Sequence, residues 1–239
     1  MKEYHYPSRL FRKEWHWFEK PHDIPGADLL NFFSYDNINA PGFKKKSGMT
    51  TIIDLVQTED VLWSKLRKRY AREQIEKAKR NGIDVHTDIS WEHLVGVYEK
   101  FRKGKKISSD DPRVFQHCRV YAALVNNEIL AMGAFVEDEK YSRALVLASD
   151  RFSNEGKRRE LVGQANRMLI WEAMRDARSR GILQFDLGGI ALESDKREDK
   201  SLLEFKEAFG GERKVGYYYT KVNSRLLKLF IKTRRFLHI

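Results

Sequence analysis

A mixed α/β fold, with a mostly antiparallel sheet flanked by helices on both faces, is what this 239-residue sequence predicts, and three observations carry the prediction. Residues 119–125, 128–136 and 141–148 are strand-like runs separated by the turn pairs Asn126-Asn127 and Asp138-Glu139, the pattern of a meander with short hairpins. A long helical pattern over 160–180 follows, with Val162, Ala165, Leu169, Ala173 and Ala177 on one stripe, and Gly181 ends it directly before another apolar run at 182–187. The β-branched run TTIIDLV at 50–56 is a further strand, followed by a helical pattern of its own. Antiparallel runs joined to helical crossovers give a sheet that is covered on both sides.

Taken in order, residues 1–49 stand apart. They hold four of the five prolines and the aromatic cluster Phe11, Trp15, Trp17 and Phe18, show no clear periodicity, and end in the basic loop GFKKKSG. They read as an irregular arm that packs through its aromatics. After the 50–56 strand, Thr58 with Glu59 and Asp60 behind it is a helix start with acids in the first turn. That helix is expected to run to Asn81-Gly82, with Trp63, Leu66, Tyr70, Ile75 and Ala78 facing inward. A short strand at 83–86, a helix at 90–102 and a polar connection at 103–112 precede the meander, and the basic loop SNEGKRRE leads from the meander into the long helix.

Beyond 182–187, Asp186 interrupts an apolar run and Gly188-Gly189 permits a turn or a close backbone approach. A polar excursion follows, then a short helix with Leu202, Phe205 and Phe209 on one face, Lys206 at the margin of that face, and Gly210-Gly211 as its stop. Residues 213–222 read as a final strand and 224–239 as a basic, Leu/Phe-rich helical tail. The expected division is therefore an arm at 1–49, a main domain at 50–222 and a tail at 223–239.

Composition bounds the function. A net charge of +11, with eight Lys or Arg and no acid from Arg213 onward, attracts polyanions: nucleic acid, an anionic membrane face or a phosphorylated small molecule. Cys118 is the only cysteine, which excludes an intramolecular disulfide and points to a reducing compartment. No hydrophobic run approaches the roughly twenty residues of a spanning helix, and the amino-terminal stretch has no apolar core of a secretory signal. The histidines form no H-x-x-x-H pair and no cluster with Cys118, so no metal is expected.

Two segments carry a resemblance. TTIIDLVQTEDVLWSKLRKRYAREQIEKAKRNGIDV, with its Leu62-Trp63 pair and its Arg72, Ile75, Lys77-Ala78 and Gly82 pattern, is similar to the opening segment of the FemAB-like branch of the GNAT acyltransferases. LIWEAMRDARSRGILQFDLGGI followed by SLLEFKEAFGG resembles the closing signature of that family, and the likeness spans about residues 50–219. The resemblance implies the GNAT fold, with chemistry where its fourth and fifth strands part. It implies transfer of an activated acyl group to an amine, with Lys206 stabilising the oxyanion and Phe205 bordering the site. Asp186 is a candidate base or turn anchor. Arg72, Gly188, Gly189, Tyr217 and Tyr219 are candidates for substrate binding. Larger members carry two such domains and only the second is complete here, which puts the acceptor pocket between domains in doubt; dimerisation is one way to supply the missing wall.

Two donors remain open. The phosphate loop of acyl-CoA enzymes matches poorly at RFSNEGKRRELVGQANRM: Arg159 lies four residues before Gly163 and Ala165 alone fits the final position. Lys157, Arg158, Arg159 and Gly163 are nonetheless the candidates for phosphate contact. Poor loop chemistry and a basic surface favour aminoacyl-tRNA as donor and a cell-wall precursor or small metabolite as acceptor, with no tightly bound cofactor. The alternatives are an acyl-CoA-dependent N-acetyltransferase acting on an amino sugar or lipid-linked amine, its tail resting on the inner membrane face, and a non-catalytic module that binds RNA or a partner. Either enzyme reading is expected to be cytoplasmic.

Overall fold

The computed structural model describes residues 3–7, 10–87, 89–105, 112–149, 156–190 and 196–236. Part of the polar connection (106–111), the start of the basic loop (153–155), the excursion after the glycine pair (191–195) and the last tail residues (237–239) lie outside the described residues.

The chain forms two compact units, Thr50–Arg213 and the combination of Met1–Met49 with Lys214–Ile239. In chain order the elements are β1 (Glu3–Pro7), β2 (Arg12–Trp17), β3 (Leu29–Ser34), β4 (Lys44–Asp54), α1 (Glu59–Lys65), one π-helical turn (Lys68–Arg72), α2 (Glu73–Arg80), β5 (Asp84–His86) and α3 (Trp91–Lys105). A 3₁₀ turn (Pro112–His117) leads to β6 (Arg119–Val125), β7 (Glu128–Glu137), β8 (Tyr141–Ser149), α4 (Gly156–Ser179), β9 (Gln184–Ile190), α5 (Arg197–Glu207), β10 (Glu212–Val222) and α6 (Arg225–Phe236).

In the larger unit the strands lie in the order β4-β9-β8-β7-β6-β5. The meander β6-β7-β8 is antiparallel, as its turn pairs predict, and β8 pairs with β9 in parallel across the α4 crossover. Alternation along the meander sends Tyr121, Ala123, Ala131 and Phe135 into one core with α2 and α4, and Val120, Ala122, Met132 and Ala134 into another with Leu94, Tyr98 and Phe115. Both faces of the sheet are thus covered. At Gly133, where α4 crosses, a Cβ would come within 3.0 Å of Leu147, Leu169 and Phe135, so those side chains would have to give way. The C-terminal end of α4 is tied down by charge: Asp176 accepts hydrogen bonds from Tyr121 (2.6 Å), Arg119 (2.9 Å) and Arg180 (2.9 Å), and Arg180 also donates to Glu137 at 2.7 and 2.9 Å. Burial, and then the bond to Asp176, pushes the Tyr121 hydroxyl well above its ordinary pKa.

The helix expected to run unbroken from Thr58 to Asn81 is interrupted. Thr58 does cap α1, its side chain accepting from the Val61 N–H, but Leu66 and Arg67 are extended and a π turn intervenes before α2. The cause is the end of α5: the Arg67 N–H, released from helical bonding, donates to the Ala208 carbonyl at 2.9 Å. Gly210 lies so close that a Cβ on it would sit 2.8 Å from the Lys65 oxygen. The break shifts the helical phase by one residue, so Ala71 is buried and Tyr70, expected to face inward, is 53% exposed.

The smaller unit pairs β1 with β2 antiparallel, β2 with β3 parallel and β3 with β10 antiparallel. Strands therefore occupy a region whose sequence shows no periodicity, and the reason lies in β2. Its buried residues are Glu14 and His16, bonded to each other at 3.1 Å, so the inward face is polar and the alternation reads backwards. The core here is Ala27, Leu30, Phe32 and Tyr219.

Candidate functional site

β8 and β9 stay paired for only three residues, Tyr141 with Gln184, Ser142 with Phe185 and Arg143 with Asp186. Two irregularities end the pairing. On β8, Leu145 is bulged out of the register with β7, which kinks the strand. On β9, Gly188 adopts φ +80 and brings its Cα so near β8 that a Cβ would lie 2.9 Å from the Ala144 oxygen. Only glycine tolerates that combination.

The last paired register is charged and buried. Arg143 and Asp186, with side chains 4% and 1% exposed, form an ion pair through Arg143 Nη1 and Asp186 Oδ2. Asp186 Oδ1 accepts the Gly188 N–H at 2.6 Å, closing the turn. The Thr50 hydroxyl of β4 lies against both Asp186 Oδ1 and the Gly188 carbonyl, 2.8 Å from the latter, and gives its single proton to one of them. Asp186 is thus committed to holding the turn.

Lys206 completes the arrangement from α5. The helical pattern places it at the margin of the buried stripe, but it is the deeply buried residue of the helix, 6% exposed, while Leu202 is 38% exposed. The extended entry at Lys196 and the docking of Ala208 and Phe209 set the rotation of the helix, which the apolar spacing alone misjudges. Lys206 Nζ donates to the Gly189 carbonyl at 2.7 Å. Burial pushes its pKa down to about 8; Asp186 opposes that fall and Arg143 adds to it. The result is an ammonium near its titration point, held against an exposed turn of backbone where two strands part.

Phe205 packs edge-to-face on Phe209, their ring centroids 5.6 Å apart, and the Arg167 guanidinium lies over the Phe205 ring at 5.1 Å. Arg167 also donates to the Gly163 carbonyl at 2.8 Å and to the Tyr70 carbonyl, so it links α5, α4 and the π turn. Arg72 ends that turn with its Nε buried and without a hydrogen-bond partner among the described residues. Lys157 and Arg158 line a separate groove of about 670 Å³, together with Lys77, Arg80, Asn81 and Gln164. Arg158 is paired there with Glu128 and Arg159 is exposed.

Lys206, Phe205, Asp186, Gly188 and Gly189 are therefore brought together by β9 and α5. Tyr217 and Tyr219 belong to the other unit, where Tyr219 is buried and its hydroxyl accepts from the Ile38 N–H at 2.7 Å and donates to the Asp36 carbonyl at 3.1 Å. Sequence reasoning misses Thr50, Arg143 and Arg167. Arg143 had a signal, as the lone charge inside the run 141–149; Thr50 and Arg167 had none. No group of His, Cys, Asp or Glu suited to a metal occurs among the described residues.

Residues 160–232 match the FemAB family. Among solved structures, FemX is 14% identical, with 86% of this chain covering 75% of that one at a TM-score of 0.62. L-PGS from Bacillus licheniformis is 15% identical over 87% of this chain and 72% of that one, at a TM-score of 0.51. No curated protein sequence matches. Residues 160–232 thus carry a match to the FemAB family, and the order of strands and helices is that of the fold seen in FemX.

Proposed function

We propose that the protein is an N-acyltransferase whose chemistry is centred on Lys206, and the observation that carries this reading is the buried ammonium held against the Gly188-Gly189 turn. In such a transfer an acceptor amine attacks the carbonyl carbon of an activated ester or thioester. A C–N bond forms, negative charge collects on the carbonyl oxygen, the C–O or C–S bond breaks, and the proton lost by the amine leaves with the departing oxygen or sulfur. Lys206 spends one N–H on Gly189 and has two left to donate to the oxyanion. A desolvated cation placed in advance is worth about 3 to 4 kcal/mol to such a transition state. With a pKa of about 8 it stays mostly protonated at neutral pH. Asp186, held by Arg143, Thr50 and the Gly188 amide, anchors the turn. Phe205 walls the site, and Arg167, lying over the Phe205 ring, is a candidate there for donor contact.

Aminoacyl-tRNA is the donor favoured by the net charge of +11 and by the irregular phosphate loop, and a cell-wall precursor or small metabolite is the acceptor. Acyl-CoA with an amino-sugar or lipid-linked acceptor is the second reading, supported by the GNAT-type strand order. The test is to incubate the purified protein with charged tRNA pools and, separately, with acyl-CoAs across a salt series. Salt-sensitive tRNA binding with aminoacyl transfer supports the first donor. Tight, salt-insensitive CoA binding with no tRNA shift overturns it, and full transfer by Lys206→Ala overturns the role of the lysine.

A further inference from the structure

Three of the nine large hydrophobic side chains exposed among the described residues fall on α6: Leu226 at 66%, Leu229 at 59% and Ile231 at 37%. The helix is formed and fixed at its start. Ser224 caps it through the Leu227 N–H (3.2 Å) and the Lys228 N–H (3.0 Å), Asn223 is tied to Asp28 and Ala27 at 2.8 and 3.0 Å, and Leu227 is buried. The orientation is therefore set, and it turns Leu226 and Leu229, three residues apart on one face, toward solvent. Arg225 and Lys228, also three apart and exposed, run beside them. The sequence adds Lys232, Arg234 and Arg235 to the same helix, and no acidic residue follows Glu212.

We propose that this face of α6 docks on an anionic lipid bilayer, with Leu226 and Leu229 entering the acyl boundary and Arg225 and Lys228 meeting the phosphates. Apolar side chains beside a cationic row on a helix held in place are the parts that interfacial binding requires. A nucleic-acid partner would use the cations and leave the leucines in water. A second copy would set Arg225 and Lys228 against like charges. The inference stands apart from the acyl-transfer reading, since it uses none of the residues of that site.

Sedimentation of the full chain with phosphatidylcholine vesicles, with and without about a quarter of phosphatidylglycerol, tests it. Binding is expected only with phosphatidylglycerol, to weaken as salt rises, and to fall at least about tenfold in the double variant Leu226→Ser, Leu229→Ser. Lys228→Glu, a change at an exposed position, is expected to weaken it as well, which keeps the test valid should the serine variant fold poorly. Equal binding to neutral vesicles, or unchanged binding in both variants, overturns the proposal. So does a self-association abolished by the serines, or an RNA complex abolished by Lys228→Glu, in a protein that ignores vesicles.

Discussion

Lys206 is a buried positive charge beside the Arg143–Asp186 pair, and the cost of burying it depends on pH. Its folded pKa of about 8 lies below its ordinary value of 10.5, so the folded state binds fewer protons than the unfolded one between those two values. Stability therefore rises with pH across that window, and the penalty is fully present below about 8. Against Lys206→Met, which cannot titrate, the wild type is expected to gain about 3 kcal/mol between neutral pH and the top of the window. Urea unfolding of both proteins at several pH values measures it, and parallel stability curves would contradict the burial. Transfer activity should move the opposite way, falling as pH rises through about 8 if the ammonium is the working form. The Arg143–Asp186 pair is the complementary case. Arg143→Met leaves a buried carboxylate with its main counter-charge gone, and a loss of about 3 to 5 kcal/mol is expected by denaturant titration. Joining Asp186→Leu to Arg143→Met should recover much of that loss, because no unpaired charge then remains.

At the scale of elements, the end of α5 is fixed by backbone proximity. A Cβ on Gly210 would meet Lys65 at 2.7 to 2.8 Å in a residue with φ +76, and a Cβ on Gly211 would meet the Ile52 oxygen at 2.8 Å. Gly210→Ala is expected to cost more than about 2 kcal/mol through strain and displaced backbone, read as a lower thermal midpoint. The meander, α4 and β9 follow from apolar period and turn residues because their cores are apolar. The break after α1 was hidden, since it arises from a carbonyl more than a hundred residues away, at Ala208. β2 was hidden because its inward side chains are Glu14 and His16. Lys206 could be picked out by motif, but its burial could not: only the docked helix end sets the rotation that turns it inward. Arg143 shows the same limit, for its partner across the parallel register is fixed by the bulge and the glycine, which no local pattern announces.

For the molecule as a whole, the uneven charge is the main lever. If tRNA is the donor, reversing Lys157 and Arg159 together should weaken its binding and reduce the salt slope by about two counterions, while leaving CoA-like competitors without effect; a filter-binding series at rising salt measures this. No helix among the described residues is long and apolar enough to cross a membrane.

The glycine pair after α5 has a mechanical consequence. A helix seated at one end by backbone contact swings about that end as a lever about a fulcrum. Lys206 stands about 6 Å from Gly210 along the axis and Arg197 about 20 Å, so any tilt of α5 carries Arg197 roughly three times as far as the lysine.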